Sequence, residues 1–142
     1  MDMTPTKEKD QHFLAKHTIP AWSVIGLGSL AVHLVIPIDV SHVLAALLLA
    51  LIAGVYIGFA ANDGRMSRIV IESGVAILFV MFSMWALLKA PMLLPLGYIA
   101  HAVWDFLHHT PFFNVQMPKW YVPACVVYDV LVGIGLWAIW LL

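Results

Sequence analysis

The chain has 142 residues, of which 63% are hydrophobic and only 11% charged, and its formal net charge is −1. A soluble domain averages about 45–50% apolar and about 25% charged residues, and a fold of this length has too small a core to bury so much apolar surface. The composition therefore excludes an ordinary soluble domain, and without a basic run the sequence predicts no nucleic-acid partner.

The first twenty residues are polar and of mixed charge. A cleaved signal peptide would begin with basic residues and continue as an apolar stretch, and this segment lacks that pattern. We therefore expect a polar cytoplasmic tail at 1–20, followed by a single transmembrane domain at 21–142. The charged residues of the tail include Lys7, Glu8, Lys9, Asp10 and Lys16.

Five apolar segments follow the tail, each long enough for a membrane-spanning helix, which takes about 20 residues with a range of about 17–25. Proline, glycine, asparagine and aspartate punctuate the breaks between them. The sequence therefore predicts an all-α integral membrane protein, a bundle of five transmembrane helices. An alternative count drops the first segment, which is short and contains Gly26, Gly28 and His33. The five segments are about 21–37, 41–60, 69–88, 92–109 and 121–142.

The basic residues predict the orientation of this bundle. With five spans, six of the seven basic residues fall on the side of the N-terminus, and only Lys89 falls on the other side. Short loops rich in Lys and Arg stay in the cytoplasm, so we expect a multi-pass protein of the cell (plasma or inner) membrane, with the N-terminus cytoplasmic and the C-terminus outside. The six residues are Lys7, Lys9, Lys16, Arg65, Arg68 and Lys119.

A stripe of small residues follows the second span at a spacing of four: Ala46, Ala50, Gly54 and Gly58. Small side chains let a second helix backbone approach closely. The stripe predicts tight packing within the bundle, and contact between two copies of the chain, a homo-oligomer, is the alternative.

Ionisable residues inside the apolar segments are the strongest functional signal. On the fourth span, His101, Asp105 and His108 are separated by four and then three residues, so they share one helix face. A rise of about 1.5 Å per residue places His101 and Asp129 roughly 12 Å from the cytoplasmic ends of their helices, and Asp105 and Glu72 roughly 5–6 Å. These four residues lie at similar depths, and ionisable groups at membrane depth are costly. Their similar depth therefore predicts one functional site.

Imidazoles with carboxylates are the usual ligands of zinc and non-haem iron, and the same groups serve as general acids and bases. We therefore predict a membrane-embedded enzyme that uses metal-assisted or acid–base chemistry on a lipid-soluble substrate. The predicted ligands of a zinc or iron ion are His101, Asp105 and His108. The predicted catalytic groups are Glu72, Asp129 and Tyr128.

Two arginines lie at the cytoplasmic mouth of the predicted site. Arg65 and Arg68 are placed to bind the phosphate of a lipid headgroup, and the alternative is that their charges only set the topology. The loop at 110–119, with Phe112, Phe113 and Pro118, is expected to cap the site.

Other functions remain open at this stage. The same groups fit a proton-coupled transporter or ion pathway, or a structural membrane subunit in which they pair across helices. His33 and His42 lie near the outer ends of the first two spans, where bis-histidine haem ligation is conceivable. The chain has no CxxCH motif, so haem is disfavoured against solvated loop histidines.

The motif that begins with His101, Trp104, Asp105 and His108 and continues from Trp120 to Asp129 resembles a family of small multi-pass membrane proteins of unknown function. The segment 56–60 (YIGFA) and Glu72 match the same family, and the resemblance covers roughly residues 50–130. It implies a multi-pass membrane fold and the same choice of site residues, without an activity. Desaturases with several HxxHH-type boxes are less similar, because those boxes are missing. The motif residues are His101, Trp104, Asp105 and His108, then Trp120, Tyr121, Pro123, Cys125 and Asp129.

Overall fold

The structure, a computed structural model, describes residues 5–108, 110, 113 and 115–142, and for 5–12, 14 and 15 it describes the backbone alone. His109, at the end of the fourth predicted span, and Phe112 in the predicted capping loop lie outside the described residues.

The described residues form five α-helices, which confirms the predicted all-α class. A 3₁₀ turn at Pro91–Leu93 leads into the fourth helix. The helices are α1 (Pro5–Val35), α2 (Ile38–Asp63), α3 (Met66–Lys89), α4 (Leu94–Leu107) and α5 (Tyr121–Leu141).

Glycine and proline define the ends of these helices. Gly64 has a φ of 79°, a left-handed conformation that glycine adopts without strain, and its N–H bonds the carbonyl of Ala60 at 3.1 Å to close α2. Pro91 begins the 3₁₀ turn, and Pro123 lies in the first turn of α5, where no intrahelical donor is needed. The breaks read from the sequence therefore fall where helices end.

Four of the helices are long and apolar enough to cross a membrane, so the chain is a helical bundle of the membrane type. α4 corresponds to the fourth predicted span but has only 14 residues. Its length of about 21 Å is less than a hydrocarbon core of about 30 Å. Four helices among the described residues, rather than the five predicted, therefore reach spanning length. The long segments are Lys16–Val35, Ile38–Asp63, Met66–Lys89 and Tyr121–Leu141.

The first helix begins at Pro5, well before the predicted start of the first span at residue 21. Apolar patterning marks where a membrane segment begins, but it does not mark where a helix begins. Lys7, Glu8, Lys9 and Gln11 favour helix, so the backbone of the polar segment continues the helical geometry of the span.

The helices run in alternating directions. The carbonyl of Met92, in the 3₁₀ turn just before α4, accepts a hydrogen bond from Trp137 of α5, and His101 of α4 lies against Asp129 nearer the start of α5, so α4 and α5 are antiparallel. Gly97 near Phe82, together with His108 near Glu72, makes α3 antiparallel to α4. Further contacts make α2 parallel to α4 and α1 parallel to α5. Those contacts are Tyr98–Ala45 and Asp105–Tyr56, then Gly26–Leu131 and Gly135–Leu30.

Two glycines hold α4 close to its neighbours. A Cβ on Gly97 would collide with the side chains of Leu49 and Phe82, and one on Gly133 would lie 3.1 Å from the carbonyl oxygen of Pro95. Close approach through glycine is usual between membrane helices. The approach brings the side chains of α2, α3 and α5 around the polar face of α4.

The predicted small-residue stripe of α2 is divided between two environments. Ala46 belongs to the apolar core together with Leu49, Val132 and Leu136. Gly54 and Gly58 face open space, since a Cβ on either would meet no described atom within 4 Å. Intramolecular packing therefore uses one end of the stripe, and contact between copies through the other end stays a prediction.

Candidate functional site

The structure brings together five of the predicted site residues, which lie on α3, α4 and α5. All five are buried inside the bundle, and His101 and Asp105 have no exposed surface. They form two groups on consecutive turns of α4, each with its own hydrogen bonds. The His101 triad comprises His101, Asp105 and Asp129, and the His108 pair comprises His108 and Glu72.

The His101 triad is built around one imidazole nitrogen. His101 Nδ1 lies 2.7 Å from Asp129 Oδ2 and 3.4 Å from Asp105 Oδ2. The spacing of four residues on α4 aligns His101 with Asp105, while α5 supplies Asp129 from the opposite direction. Both Asp105 Oδ2 and His101 Nε2 are buried without a hydrogen-bond partner among the described atoms.

Tyr56 of α2 links the two groups. Its hydroxyl donates a hydrogen bond of 2.6 Å to Asp105 Oδ1, and its ring stacks on His108 with centroids 4.3 Å apart. Tyr56 is 1% exposed, so both contacts lie in the interior. Tyr56 is not among the predicted site residues, but its depth in the second span would let it assist the site as a hydrogen-bond donor, and it begins the YIGFA segment at 56–60.

The His108 pair forms a closed set of hydrogen bonds. His108 Nδ1 donates to the carbonyl oxygen of Trp104 at 3.0 Å, because a carbonyl can only accept. His108 Nε2 lies 3.0 Å from Glu72 Oε1, and the indole N–H of Trp104 donates to Glu72 Oε2 at 3.3 Å. Every polar atom of the two side chains has a partner.

The two groups differ in charge balance. One imidazole faces one carboxylate in the His108 pair, which is neutral whichever residue holds the shared proton. In the His101 triad one imidazole faces two carboxylates, so ionised groups would leave a net charge of −1. An uncompensated charge in a protein interior costs several kcal/mol. Neutrality of the triad would therefore require one further positive charge, a proton or part of the charge of a metal ion.

Among the residues that the structure describes, the side chains grouped closely enough to hold a metal ion are those of this triad. His101, Asp105 and Asp129 each offer one ligand atom, and the three atoms lie within 4.8 Å of one another. The predicted ligand set differs from this group in one member. His108 was predicted as a ligand but bonds Glu72, and Asp129, which was predicted as a catalytic group, takes the place beside His101.

An apolar cavity of about 450 Å³ lies between α3 and α4, next to the two groups. Phe79, in its wall, packs edge-on against His101 with ring centroids 5.1 Å apart, and Trp104 in the same wall donates to Glu72. Two lining residues, Leu78 and Leu96, are exposed on the outer surface of the bundle. The cavity thus reaches the apolar surface of the bundle, and the side chains of Phe79 and Trp104 lie between it and the buried polar groups.

Three predicted site residues lie outside these groups. Tyr128 packs toward α1, where its hydroxyl lies 3.2 Å from Ser29 Oγ. Arg65 is exposed and forms an ion pair with Asp63, and this hydrogen-bonded carboxylate raises the pKa of the guanidinium. Arg68 is partly exposed near the start of α3. The arginines therefore lie at the end of the bundle nearest the His108 pair, and Tyr128 lies on a different face of α5.

The histidines near the other end of the bundle were expected to be solvated, and for His33 this is wrong. His33 is 2% exposed, and its Nδ1 lies 2.7 Å from Ser41 Oγ, which also accepts a hydrogen bond of 2.9 Å from Trp140. The ring of His42 contacts Trp140 edge-on. Packing of α1 against α5 buries His33, and the hydropathy pattern gives no information on that contact.

Comparison with protein-family models, with curated proteins and with solved structures gives no match. The residues themselves must therefore carry the functional argument.

Proposed function

We propose that the protein is a membrane-embedded enzyme that acts on a lipid-soluble substrate by metal-assisted or acid–base chemistry at the His101 triad. One observation carries the proposal: a buried group that needs an added positive charge borders an apolar cavity through Phe79. Buried ionisable clusters are functional candidates, especially beside a cavity of about 300–1,000 Å³. Membrane location and hydrocarbon-lined access together favour a substrate that partitions into the bilayer.

The proposed topology has five crossings, with the N-terminus in the cytoplasm and the C-terminus outside a cell membrane. The alternating helix directions support five crossings, because α4 runs opposite to both α3 and α5 despite its short length. The distribution of basic residues supports the orientation. The site then lies in the cytoplasmic half of the bundle, near Arg65 and Arg68.

Each triad residue has a proposed role. In acid–base chemistry His101 is the acid–base group, and Asp129 orients its ring through Nδ1, as carboxylates orient catalytic histidines. In metal-assisted chemistry His101 and Asp129 would both be ligands of the ion. Asp105 supplies the second negative charge and is held by Tyr56. Glu72 and His108 act as positioning residues, since their closed hydrogen bonds fix the end of α4 and the indole of Trp104.

A proton or ion pathway through the whole bundle receives less support. Beyond the His101 triad, toward the turn between α1 and α2, the interior is filled by the apolar core around Leu49, Leu94, Val132 and Leu136. A proton or ion pathway would need ionisable groups to continue across this apolar core. A purely structural role does not explain why the triad contains two carboxylates for one imidazole.

The experiment compares lipid and isoprenoid extracts from membranes of cells that express the wild-type chain, the His101→Ala variant or neither. We expect the wild-type chain to deplete one lipid class and to accumulate a product, and the variant, present at equal amount, to do neither. The matched control is Asp39→Asn, which changes an exposed residue at the opposite end of the bundle and should behave like the wild type. Identical profiles for wild type, variant and empty vector would contradict the proposal.

A further inference from the structure

We propose that His101, Asp105 and Asp129 bind one divalent first-row transition-metal ion, with His101 Nδ1 and one oxygen of each carboxylate as ligands. This inference assigns the cofactor of the proposed enzyme and rests on that function for the catalytic role of the ion. It differs from the ligand set predicted by sequence, because Asp129 replaces His108.

Distances between the ligand atoms support the site. Zinc and similar ions bind imidazole nitrogen and carboxylate oxygen at about 2.0–2.2 Å, so neighbouring ligands in tetrahedral or octahedral geometry lie about 3.0–3.4 Å apart. His101 Nδ1 lies 3.4 Å from Asp105 Oδ2 and 2.7 Å from Asp129 Oδ2. These two distances are within a few tenths of an ångström of that range, and all three ligand atoms lie within 4.8 Å of one another.

The charge of the triad supports a divalent ion. Two carboxylates and a neutral imidazole balance a charge of +2, whereas the metal-free triad reaches neutrality only by holding two protons. Metal ligands must be deprotonated, so binding of the ion releases those protons. The His108 pair has no such requirement, because it is neutral with one shared proton.

An independent observation points to a ligand. Asp105 Oδ2 is fully buried at the centre of the triad and has no hydrogen-bond partner among the described atoms. Buried polar atoms are normally satisfied, and an unpaired one calls for an unseen partner. Its sister oxygen accepts the Tyr56 hydrogen bond, the outer-shell support that metal-bound carboxylates usually have.

The ligand set indicates the kind of ion. Imidazole suits zinc and iron, carboxylates also suit manganese, and three protein ligands leave a coordination position open. The open position would let the ion meet a substrate group from the nearby cavity, whose wall residue Phe79 packs against the ring of His101. The site therefore favours Zn²⁺, Fe²⁺ or Mn²⁺ over Mg²⁺ or Ca²⁺, which prefer all-oxygen ligands.

The test uses the full chain in detergent micelles or nanodiscs, purified without chelator. Elemental analysis, followed by calorimetric titration of the chelator-treated protein with Zn²⁺, Fe²⁺ (without oxygen) and Mn²⁺, should give one ion per chain. Asp129→Asn and Asp105→Asn should abolish stoichiometric binding, while Glu72→Gln, a change of the neighbouring buried carboxylate, should keep it. Tyr56→Phe should weaken binding about 10–100-fold.

Two results would overturn the inference. One is binding of less than about a tenth of an equivalent of all three ions by folded wild-type protein, and the other is equal binding by Asp129→Asn and Glu72→Gln. Lipid conversion that persists in the chelator-treated protein would remove the catalytic role of the ion and leave the acid–base enzyme. Stoichiometric binding without any lipid conversion would instead keep the metal site and remove the proposed enzyme.

Discussion

The His101 triad and the His108 pair lie on successive turns of α4, are equally buried and contain the same chemical groups, yet they differ in two respects. The pair is charge-balanced and every polar atom has a partner. The triad has one carboxylate too many, and two of its buried atoms, Asp105 Oδ2 and His101 Nε2, have no hydrogen bond among the described atoms. Burial alone therefore does not identify the functional group. Imbalance of charge and of hydrogen bonds does.

The largest expected difference between the two groups is in stability. Among the described residues, His108 provides the one imidazole that faces Glu72. His108→Gln should therefore cost about 3–5 kcal/mol, as does the loss of one partner of a buried ion pair. In the metal-free protein, a neutral triad carries a proton on at least one carboxyl, and Asp129 can be that carboxyl. Asp129→Asn then replaces one uncharged group by another and should lower the free energy of unfolding by about 1 kcal/mol or less. The free energy of unfolding in mixed micelles measures both. Equal losses of unfolding free energy in the two variants would contradict the difference between the His108 pair and the His101 triad.

The second prediction concerns the link between the groups. Tyr56→Phe removes the donor to Asp105 and keeps the ring that stacks on His108, so it should cost about 1.5–3 kcal/mol, the range for hydrogen bonds to charged groups. A double-mutant cycle with Asp105→Asn should show that most of this loss is shared. Strictly additive effects would mean that the hydroxyl does not support Asp105.

The third prediction concerns the close packing of α4 that assembles both groups. Gly97→Ala should cost about 1–3 kcal/mol, because its Cβ would collide with Leu49 and Phe82. Gly54→Ala, which enters open space in the described structure, should be neutral or stabilising by up to about 1 kcal/mol. Sedimentation in detergent separates the alternatives: a change of oligomeric state with Gly54→Ala would identify that end of the stripe as a contact between copies.

The smallest expected effect lies outside both groups. Asp63 accepts the backbone N–H of Gln116 at 3.0 Å and forms the ion pair with Arg65, which tethers the segment before α5 to the turn between α2 and α3. Asp63→Asn should speed hydrogen exchange at the Gln116 amide and leave metal binding unchanged. Altered metal binding in this variant would mean that the segment controls the His101 triad.

Much of the fold follows from the sequence, because apolar length and Pro or Gly punctuation are local properties. The break at Gly64 and the start of α5 at Tyr121 lie close to the predicted positions. The hydropathy pattern shows which residues are apolar enough to lie in the membrane, but it does not show where a helix begins or ends. It therefore missed the early start of α1 at Pro5 and the shortness of α4.

For the site, helical periodicity aligns His101, Asp105 and His108 on one face of α4, and rise per residue places Glu72 and Asp129 at similar depths. The pairing between helices could not be predicted, because it depends on how α3 and α5 are rotated about their axes. That rotation decides that Asp129 meets His101 and Glu72 meets His108. It depends on tertiary packing, including the approach at Gly97 and Gly133.

Infrared difference spectroscopy tests the central claim most directly, since it detects the C=O stretch of a protonated carboxyl. The metal-free His101 triad is neutral only if at least one of its two carboxyls holds a proton. The band should therefore be present in the Glu72→Gln variant, weaken when Asp129→Asn is added, and disappear when the triad binds a metal ion. Absence of any protonated carboxyl in folded, metal-free Glu72→Gln protein would contradict the account.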